Sequence, residues 1–216
     1  MSRWMFWDVD TQHDFMMGDG NLYVPEAMGL VSQLQKLTNY ARETEIPIWG
    51  SVDYHSETDS ELSGTPDFRD TYPPHCLQGT PGQEKIPVTR PRHPLWIDSR
   101  PYPNSQLEQL IHSQQGEIFF RKQKFDVFSN PNVEPALEIA APENLLIYGV
   151  ALDVCVCFAI EGFLKLGKFK IALVQDATRP IRKERGQELL QDWRRRGIRT
   201  ITTDAVVDEG ALDKLS

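Results

Sequence analysis

Short apolar runs alternate with longer stretches of helical periodicity along this chain of 216 residues. The apolar runs are nearly continuous, which is typical of strands buried on both faces of a parallel sheet. We predict strands at residues 4–10, 46–52, 116–120, 145–148, 170–174 and 200–202. We predict the main helices at residues 25–44, 104–114, 130–141, 154–166 and 182–196. This alternation predicts one α/β domain over residues 1–216, in which a mostly parallel, doubly wound sheet lies between two layers of helices.

The composition is that of a globular chain. Hydrophobic residues make up 40% and charged residues 25% of it, as in ordinary folded domains. The net charge of −8 favours neither nucleic acid nor an anionic membrane, and no apolar run approaches membrane-spanning length. Because there are three cysteines and no signal-peptide pattern over Met1–Asp8, we expect a reducing, cytoplasmic location without a disulfide framework. The expected partner is a small molecule.

Reactive side chains follow several predicted strands, at the point where each strand ends. Asp10 closes the first strand, Asp53 and His55 follow the second, and Lys122 follows the third. The carboxyl ends of the strands in a doubly wound sheet share one edge, so we expect these side chains and Cys155 to converge. There, Lys122 would favour a thiolate at Cys155, and Asp10 would take and return a proton. The alternative for Lys122 is an ordinary surface lysine.

Cys155 occupies a position at which a catalytic thiol is readily activated. The apolar run at 145–148 is followed by a turn at Gly149 and by helical periodicity from Val154. Backbone N–H groups at a helix start lack intrahelical partners, so they stabilise both a thiolate and an oxyanion formed beside it. The alternative is that Cys155 and Cys157 are two small buried hydrophobic residues.

A second group, Asp53, His55 and His75, has the chemistry of metal ligands. Asp53 and His55 are two residues apart, and an extended backbone directs such side chains to one side, where both can reach one ion. His75 lies in the segment 56–103, which is rich in proline and glycine and has no predicted secondary structure. Mixed nitrogen and oxygen ligands suit Zn, Mn or Fe better than Ca. An ordinary polar loop is the alternative for Asp53 and His55.

Taken in order, these residues resemble the isochorismatase-like cysteine hydrolases, and within them the nicotinamidase/pyrazinamidase group. The matching motifs cover most of the chain and are DTQHDF at 10–15, DYH at 53–55, SGTP at 63–66, PPHCLQGTPG at 73–82, FRK at 120–122 and GVALDVCV at 149–156. Each motif alone is a modest match, but all of them in one order make a specific one. The resemblance strengthens the catalytic interpretation of Cys155.

The resemblance implies a role for each residue of the nucleophilic set. Cys155 is implied to be the nucleophile, Asp10 the acid and base, and Lys122 the cationic partner. The backbone N–H groups of Ala151 and Cys155 are implied to form the oxyanion hole. A cis peptide is expected between Val150 and Ala151, as in other family members.

The resemblance also implies a cofactor and a substrate. Asp53, His55 and His75, with Glu61 at the fourth ligand position, are implied to bind one divalent ion, with Zn favoured over Mn or Fe; Phe15 and Tyr72 are implied to pack against the substrate ring. The implied reaction is metal-assisted hydrolysis of nicotinamide to nicotinate and ammonia. Alternatives are a family amidase acting on a carbamoyl or ureido amide, an isochorismatase proper, and a non-enzymatic metal or thiol sensor.

Two features depart from the nicotinamidase pattern. Residues 87–114 make the interval between His75 and Lys122 longer than in compact nicotinamidases, and we interpret them as an insertion that forms a lid, an oligomer contact or part of the pocket. Leu152 stands where the family usually has Thr or Ser, so we expect the pocket to differ there. We also expect the chain to form a homo-oligomer.

Overall fold

The computed structural model describes residues 4–207 and residue 212. Its strands are β1 (Trp4–Val9), β2 (Ile48–Asp53), β3 (Leu95–Ile97), β4 (Ile118–Lys122), β5 (Asn144–Val150), β6 (Lys170–Arg179) and β7 (Arg199–Ile201). Its α-helices are α1 (His13–Met16), α2 (Val31–Glu43), α3 (Asn104–Ser113), α4 (Val133–Ala140), α5 (Cys155–Leu166), α6 (Lys183–Arg195) and α7 (Thr203–Val207). Short 3-10 turns lie at Ala27–Leu30, Pro81–Gln83 and Val127–Ser129.

The described strands form a single sheet in the order β3-β4-β2-β1-β5-β6-β7. Every strand pair in it is parallel. The chain leaves β1 toward β2 on one side and leaves β5 toward β6 on the other, so the direction of winding changes between β1 and β5. In open parallel sheets, the crevice outside the carboxyl ends at such a switch point is where ligands bind.

Two hydrophobic cores, one on each face of the sheet, hold the layers together. Strand β5 is fully buried, and its side chains point alternately to the two faces of the sheet. Leu145 and Ile147 belong to the first core, and Leu146, Tyr148 and Val150 belong to the second. Helices α3, α4, α5 and α6 pack in the first core, and helices α1, α2 and α7 in the second. The predicted three-layer α/β/α architecture is therefore confirmed.

The predicted strands and main helices are all present, but the sequence prediction missed smaller elements. The prediction of a loop over residues 95–97 was wrong. Strand β3 lies there, but its run Leu95–Ile97 directly follows Pro94 and is too short to give a periodic signal. The first long helix begins at Val31 and not at Pro25, since a 3-10 turn precedes it. Strand β6 extends to Arg179 past a register shift that a periodicity argument does not anticipate.

Residues 87–114 build one edge of the domain. They supply β3, which pairs with β4, and helix α3, which packs beside α4. Among the described residues, those that line the cavity beside Cys155 all lie outside 87–114, so this segment forms no wall of that cavity. No helix in the described part of the chain is long and apolar enough to cross a membrane.

Candidate active site

Three strand ends and one helix start bring the predicted nucleophilic set together. Asp10 directly follows β1, Asp53 ends β2, Lys122 ends β4, and Cys155 begins α5. All four side chains are buried. Asp10 has a left-handed backbone (φ 47°), a conformation that aspartate tolerates better than most residues do, and this turns the chain away from the sheet.

The ammonium group of Lys122 lies among three groups that can carry negative charge. Its Nζ is 2.9 Å from Oδ2 of Asp10 and 3.6 Å from Sγ of Cys155, and it donates a hydrogen bond to Oδ1 of Asp53. Ser51 fixes the other Asp10 oxygen by donating from Oγ to Oδ1 at 2.7 Å. Oxygens of Asp10 and Asp53 and the sulfur of Cys155 all lie within 4.8 Å of one another.

The pKa values of these groups follow from burial and mutual charge. Burial raises the pKa of Asp10, and Lys122 only partly opposes this. Burial disfavours the charged form of Lys122, but the Asp10 and Asp53 carboxylates outweigh it and hold the Lys122 pKa well above its usual range. Burial also raises the pKa of the Cys155 thiol, and Lys122 lowers it too little to compensate. This raised pKa favours the thiol form, so attack by the sulfur requires a base that accepts its proton.

The turn between β5 and α5 begins where the backbone of Gly149 lies close to the backbone of Val9. Gly149 has φ 115°, and a Cβ there would lie 2.1 Å from the Val9 carbonyl oxygen, so no larger residue fits. The expected cis peptide joins Val150 to Ala151. Within the described part of the chain, neither the Ala151 nor the Cys155 N–H donates to a protein acceptor. Both N–H groups predicted for the oxyanion hole are thus free to bind a ligand oxygen.

Asp153 anchors this turn to the loop before α6. Its buried carboxylate accepts hydrogen bonds from the Ile181 N–H at 2.7 Å and the Arg182 N–H at 3.0 Å. Ile181 in turn lines the cavity beside Cys155. The neighbouring Leu152 is buried in the first core and does not line that cavity, so its predicted effect on the pocket is not direct.

Asp53, His55, Glu61 and His75 form a second buried cluster, as expected for a metal site. One ligand atom from each lies within 4.8 Å of those of the others. Nε2 of His75 is 3.4 Å from Oδ2 of Asp53, and Nε2 of His55 is 3.9 Å from Oε1 of Glu61. Burial, followed by the nearby Asp53 carboxylate, raises the pKa of Glu61 to about 7.

The two imidazoles are oriented for ligation. Nδ1 of His75 is 2.7 Å from the Pro73 carbonyl oxygen, and Nδ1 of His55 is 3.2 Å from Oδ2 of Asp59. These contacts direct both Nε2 atoms into the cluster, and the buried Nε2 of His55 has no hydrogen-bond partner among the described residues. Outer contacts that fix the far ring nitrogen are characteristic of metal-binding histidines. The donor set therefore fits one divalent ion with nitrogen and oxygen ligands.

The sequence reasoning gave no specific role to three residues that position the site. Gln12 makes two hydrogen bonds with the backbone of Asp53. Its Nε2 donates to the Asp53 carbonyl oxygen, and its Oε1 accepts a hydrogen bond from the Asp53 N–H. Asp14 accepts the Cys76 N–H at 2.7 Å and so holds the loop that carries His75. Gln12 and Asp14 lie in the matched motif at 10–15, which signals them; Asp59, which orients His55, has no comparable signal.

A small cavity opens onto both clusters. Its polar lining is Asp53, Glu61, His75 and Cys155. Its apolar lining is Phe15, Leu22, Val24, Tyr72, Phe125, Val150, Ala151, Val154 and Ile181. It includes the two predicted ring contacts, Phe15 and Tyr72, and four loop residues that were not predicted, Leu22, Val24, Phe125 and Ile181. No lysine or arginine is among its described lining residues, and outside the metal cluster and Cys155 the walls present apolar surface.

Comparison with known proteins identifies the family. The family model for the isochorismatase domain matches residues 8–205. A nicotinamidase/pyrazinamidase of Mycobacterium tuberculosis is 34% identical over 79 residues, which are 37% of this chain and 41% of that protein. A nicotinamidase of Escherichia coli is 24% identical over 196 residues, or 80% of this chain and 81% of that protein.

Solved structures share the fold at lower identity. The pyrazinamidase of Pyrococcus horikoshii in complex with zinc superposes with a TM-score of 0.70 at 22% identity, covering 93% of this chain and 99% of that one. The N-carbamoylsarcosine amidase of Thermoplasma acidophilum superposes with a TM-score of 0.68 at 20% identity, covering 94% and 97%. The family model spans most of the chain. The chain belongs to the isochorismatase family and is a hydrolase of that family.

Proposed function

We propose that this chain is a metal-assisted cysteine amidohydrolase that converts nicotinamide and water to nicotinate and ammonia through a thioester at Cys155. One observation carries the proposal. The buried Asp10–Lys122–Cys155 set and the Asp53–His55–Glu61–His75 cluster are joined by Asp53, which contacts both Lys122 and His75, and Cys155, Asp53, Glu61 and His75 line one largely apolar cavity. The Cys155 thiol, which can accept an acyl group, thus lies next to side chains that can bind a metal ion. The apolar side chains that line the same cavity can pack against the aromatic ring of a substrate.

Asp10 acts as the acid and base of the reaction. Its carboxylate removes the proton of the Cys155 thiol, and the raised pKa of Asp10 makes it a better base than an exposed aspartate. The thiolate, stabilised by Lys122, attacks the amide carbon. Asp10 then gives the proton to the departing ammonia, takes one from water as the water attacks the thioester, and returns it to the sulfur as nicotinate leaves.

The Ala151 and Cys155 N–H groups stabilise the charge that forms in both tetrahedral states. Each addition to the carbonyl carbon moves a negative charge onto the carbonyl oxygen. Two free donors at a helix start are fixed in advance for that charge, and the loss of one such donor typically costs about 10²–10³ in rate.

Asp53, His55, Glu61 and His75 would hold one divalent ion, with Zn favoured and Mn or Fe as alternatives. When bound, the ion would supply a Lewis-acid contact for a ring nitrogen of the substrate and so orient it. The zinc in the related pyrazinamidase supports the choice of metal. Orientation of this kind is worth several kcal/mol, on the order of measured effective-molarity effects.

The side chains that line the cavity favour an uncharged aromatic amide as the substrate over the main alternative, a carbamoyl amide. N-carbamoylsarcosine, the substrate named for one structural neighbour, carries a carboxylate that needs a cationic or polar partner. Apart from the proposed ion site, which is assigned to the ring nitrogen, the described lining of the cavity contains no arginine or lysine and is mostly aromatic and aliphatic. Isochorismate is a dicarboxylate and is disfavoured for the same reason.

Steady-state kinetics with three substrates test the proposed activity. We expect nicotinamide to be hydrolysed much faster than benzamide, which has the same ring and amide but lacks the ring nitrogen, and faster than N-carbamoylsarcosine. Equal rates on nicotinamide and benzamide would remove the metal cluster from substrate recognition. A clear preference for the carbamoyl amide would make the chain a different amidase on the same scaffold.

The nucleophile is tested by a matched pair of cysteine variants. Cys155→Ala should abolish hydrolysis while the protein stays folded, because the side chain that forms the thioester is gone. Cys157→Ala should retain substantial activity, since Cys157 does not line the cavity. A Cys155→Ala variant that keeps a tenth of the wild-type turnover would show that the mechanism is wrong.

A further inference from the structure

A continuous row of aromatic rings leads from the cavity onto the protein surface. The ring of Phe68 is 6.0 Å from that of Tyr72, Tyr72 is 5.4 Å from Phe125, and Phe125 is 6.1 Å from Phe158. Tyr72 and Phe125 line the cavity, whereas Phe68 and Phe158 lie outside it. We call these four side chains, together with Ile181, the aromatic rim.

The exposure of the rim distinguishes it from ordinary surface. Among the described residues, four large apolar side chains are strongly exposed, namely Met28, Phe68, Phe158 and Ile181. Phe68 is 63% and Phe158 43% exposed, and Ile181 lines the cavity. Three of the four thus lie either in the row of rings or at the cavity that the row reaches. Apolar residues scattered singly need no explanation, but a contiguous exposed patch marks a binding surface.

Phe68 is held at the rim by a structured turn. Asp67 accepts backbone hydrogen bonds at Oδ1 from Arg69, Asp70 and Thr71, at 2.9–3.0 Å. These bonds lower the pKa of Asp67 far below its usual value. Phe68 itself has φ 56°, a left-handed conformation that is unfavourable for a bulky residue. Phe68 thus lies in a hydrogen-bonded turn, with its exposed ring 6.0 Å from that of Tyr72.

We propose that the aromatic rim binds an apolar substituent of the substrate, so that the enzyme prefers aromatic amides that carry such a group on the side of the ring away from the amide. The inference rests on the proposed function for the reaction at Cys155 and specifies its substrate class. The substrate is the favoured occupant because the rim is continuous with the cavity walls through Tyr72, Phe125 and Ile181, so a group bound there shares one apolar surface with the reacting ring.

The chemistry of the ring selects the position of the substituent. The amide must reach Cys155 and a ring nitrogen must face the cluster of Asp53, Glu61 and His75. In nicotinamide, carbon 5 is the only ring carbon adjacent neither to the nitrogen nor to the carbon that bears the amide. A substituent there leaves both anchors free and points away from them. We therefore choose 5-phenylnicotinamide as the probe.

The test compares kcat/KM for 5-phenylnicotinamide and nicotinamide in the wild type and in rim variants. We expect the wild type to favour the phenyl compound, and Phe158→Ser and Phe68→Ser each to lower that preference about fivefold, the size of one aromatic contact. The loss should appear in KM with kcat unchanged, because the interaction is the same in ground and transition states. Met28→Ser, which removes an exposed apolar side chain outside the rim, is the matched control and should leave the preference unchanged.

Titration calorimetry with the inactive Cys155→Ala variant separates this inference from the proposed function. If 5-phenylnicotinamide binds more tightly than nicotinamide and Phe158→Ser removes the difference, the rim assignment holds even where neither compound is turned over. If nicotinamide is hydrolysed but the rim variants change neither the kinetic preference nor the binding difference, the rim assignment is wrong. An unchanged preference together with a dimer that Phe68→Ser dissociates in sedimentation would make the rim a contact between two copies of the chain and would also overturn it.

Discussion

Replacing Lys85 by methionine should destabilise the protein in a way that depends strongly on pH. Lys85 and Asp8 form an ion pair inside the second core, with Nζ 3.0 Å from Oδ2, and both side chains are buried. The ammonium also donates to Oγ1 of Thr11 at 2.8 Å and lies 4.6 Å from the centre of the Phe119 ring. Lys85→Met keeps the length and most of the volume of the side chain but removes the charge.

The magnitude follows from what the substitution leaves behind. Asp8 keeps one hydrogen bond, from Thr11 Oγ1 to Oδ1 at 2.8 Å, but its charge has no cation. Removal of one partner of a buried ion pair typically costs about 3–5 kcal/mol, because the remaining charge is desolvated and uncompensated. Domains of this kind are stable by roughly 5–15 kcal/mol, so the variant should lose a large part of its free energy of unfolding at neutral pH.

The sign of the pH dependence comes from the pKa of Asp8. Burial raises that pKa in the wild type, and Lys85 is the largest influence that lowers it. Without Lys85 the pKa of Asp8 rises further, while in the unfolded chain it stays near ~3.9. Between those two values the folded variant binds one more proton than the unfolded chain, so its stability increases as the pH falls. The deficit should therefore be largest at pH 8 and should shrink toward pH 5.

Urea unfolding at pH 5, 6, 7 and 8 measures this difference between wild type and variant. Lys168→Met is the control, because Lys168 is half exposed in a surface pair with Glu138, and such pairs contribute about 0–1 kcal/mol. The double variant Asp8→Leu/Lys85→Met should regain most of the loss, since apolar residues can replace a buried pair. A cost below about 1 kcal/mol at pH 8, or an equal cost at pH 5 and pH 8, would refute the reasoning.

Two further predictions concern the metal cluster and the turn. Purified protein should contain about one divalent ion per chain, and His75→Ala should lose it while His93→Ala keeps it; metal-free protein whose activity is indifferent to chelator would contradict the site. Asp153→Asn should raise KM several-fold with a smaller change in kcat, because it weakens the bonds that hold Ile181 at the cavity. Asp176→Asn, which weakens similar bonds to Thr203 outside the cavity lining, should leave KM unchanged, and equal effects of the two would assign Asp153 a purely structural role.

The convergence of the site could be predicted because it depends on topology. In a parallel sheet the carboxyl ends of neighbouring strands meet, so Asp10, Asp53 and Lys122 come together once β1, β2 and β4 are recognised. Cys155 follows from the same rule, since α5 begins just beyond β5. The periodicity of a strand can be read from its own residues, and recognising these strands was sufficient to predict that the four side chains lie close together.

Contacts made by loops could not be predicted in the same way. Lys85 lies in a proline-rich segment without periodicity, and nothing near it in the sequence indicates that its ammonium is buried against Asp8. Leu22, Phe125 and Ile181 reach the cavity from separate loops whose paths are set by distant hydrogen bonds, such as those of Asp153. Strand β3 forms because it pairs with β4, and its own three residues give no periodic signal from which a strand could be predicted.

Charge balance links the two halves of the site. Asp53 faces both, because its Oδ1 accepts from Lys122 while its Oδ2 lies 3.4 Å from Nε2 of His75. The described residues around it hold three buried carboxylates, of Asp10, Asp53 and Glu61, but only one buried ammonium. Uncompensated buried charge is costly, and one divalent cation would balance this excess. The same ion would oppose the negative charges of Asp10, Asp53 and Glu61, which add to burial in raising the pKa of the Cys155 thiol. The metal cluster and the nucleophile are therefore one electrostatic unit, and Asp53 connects them.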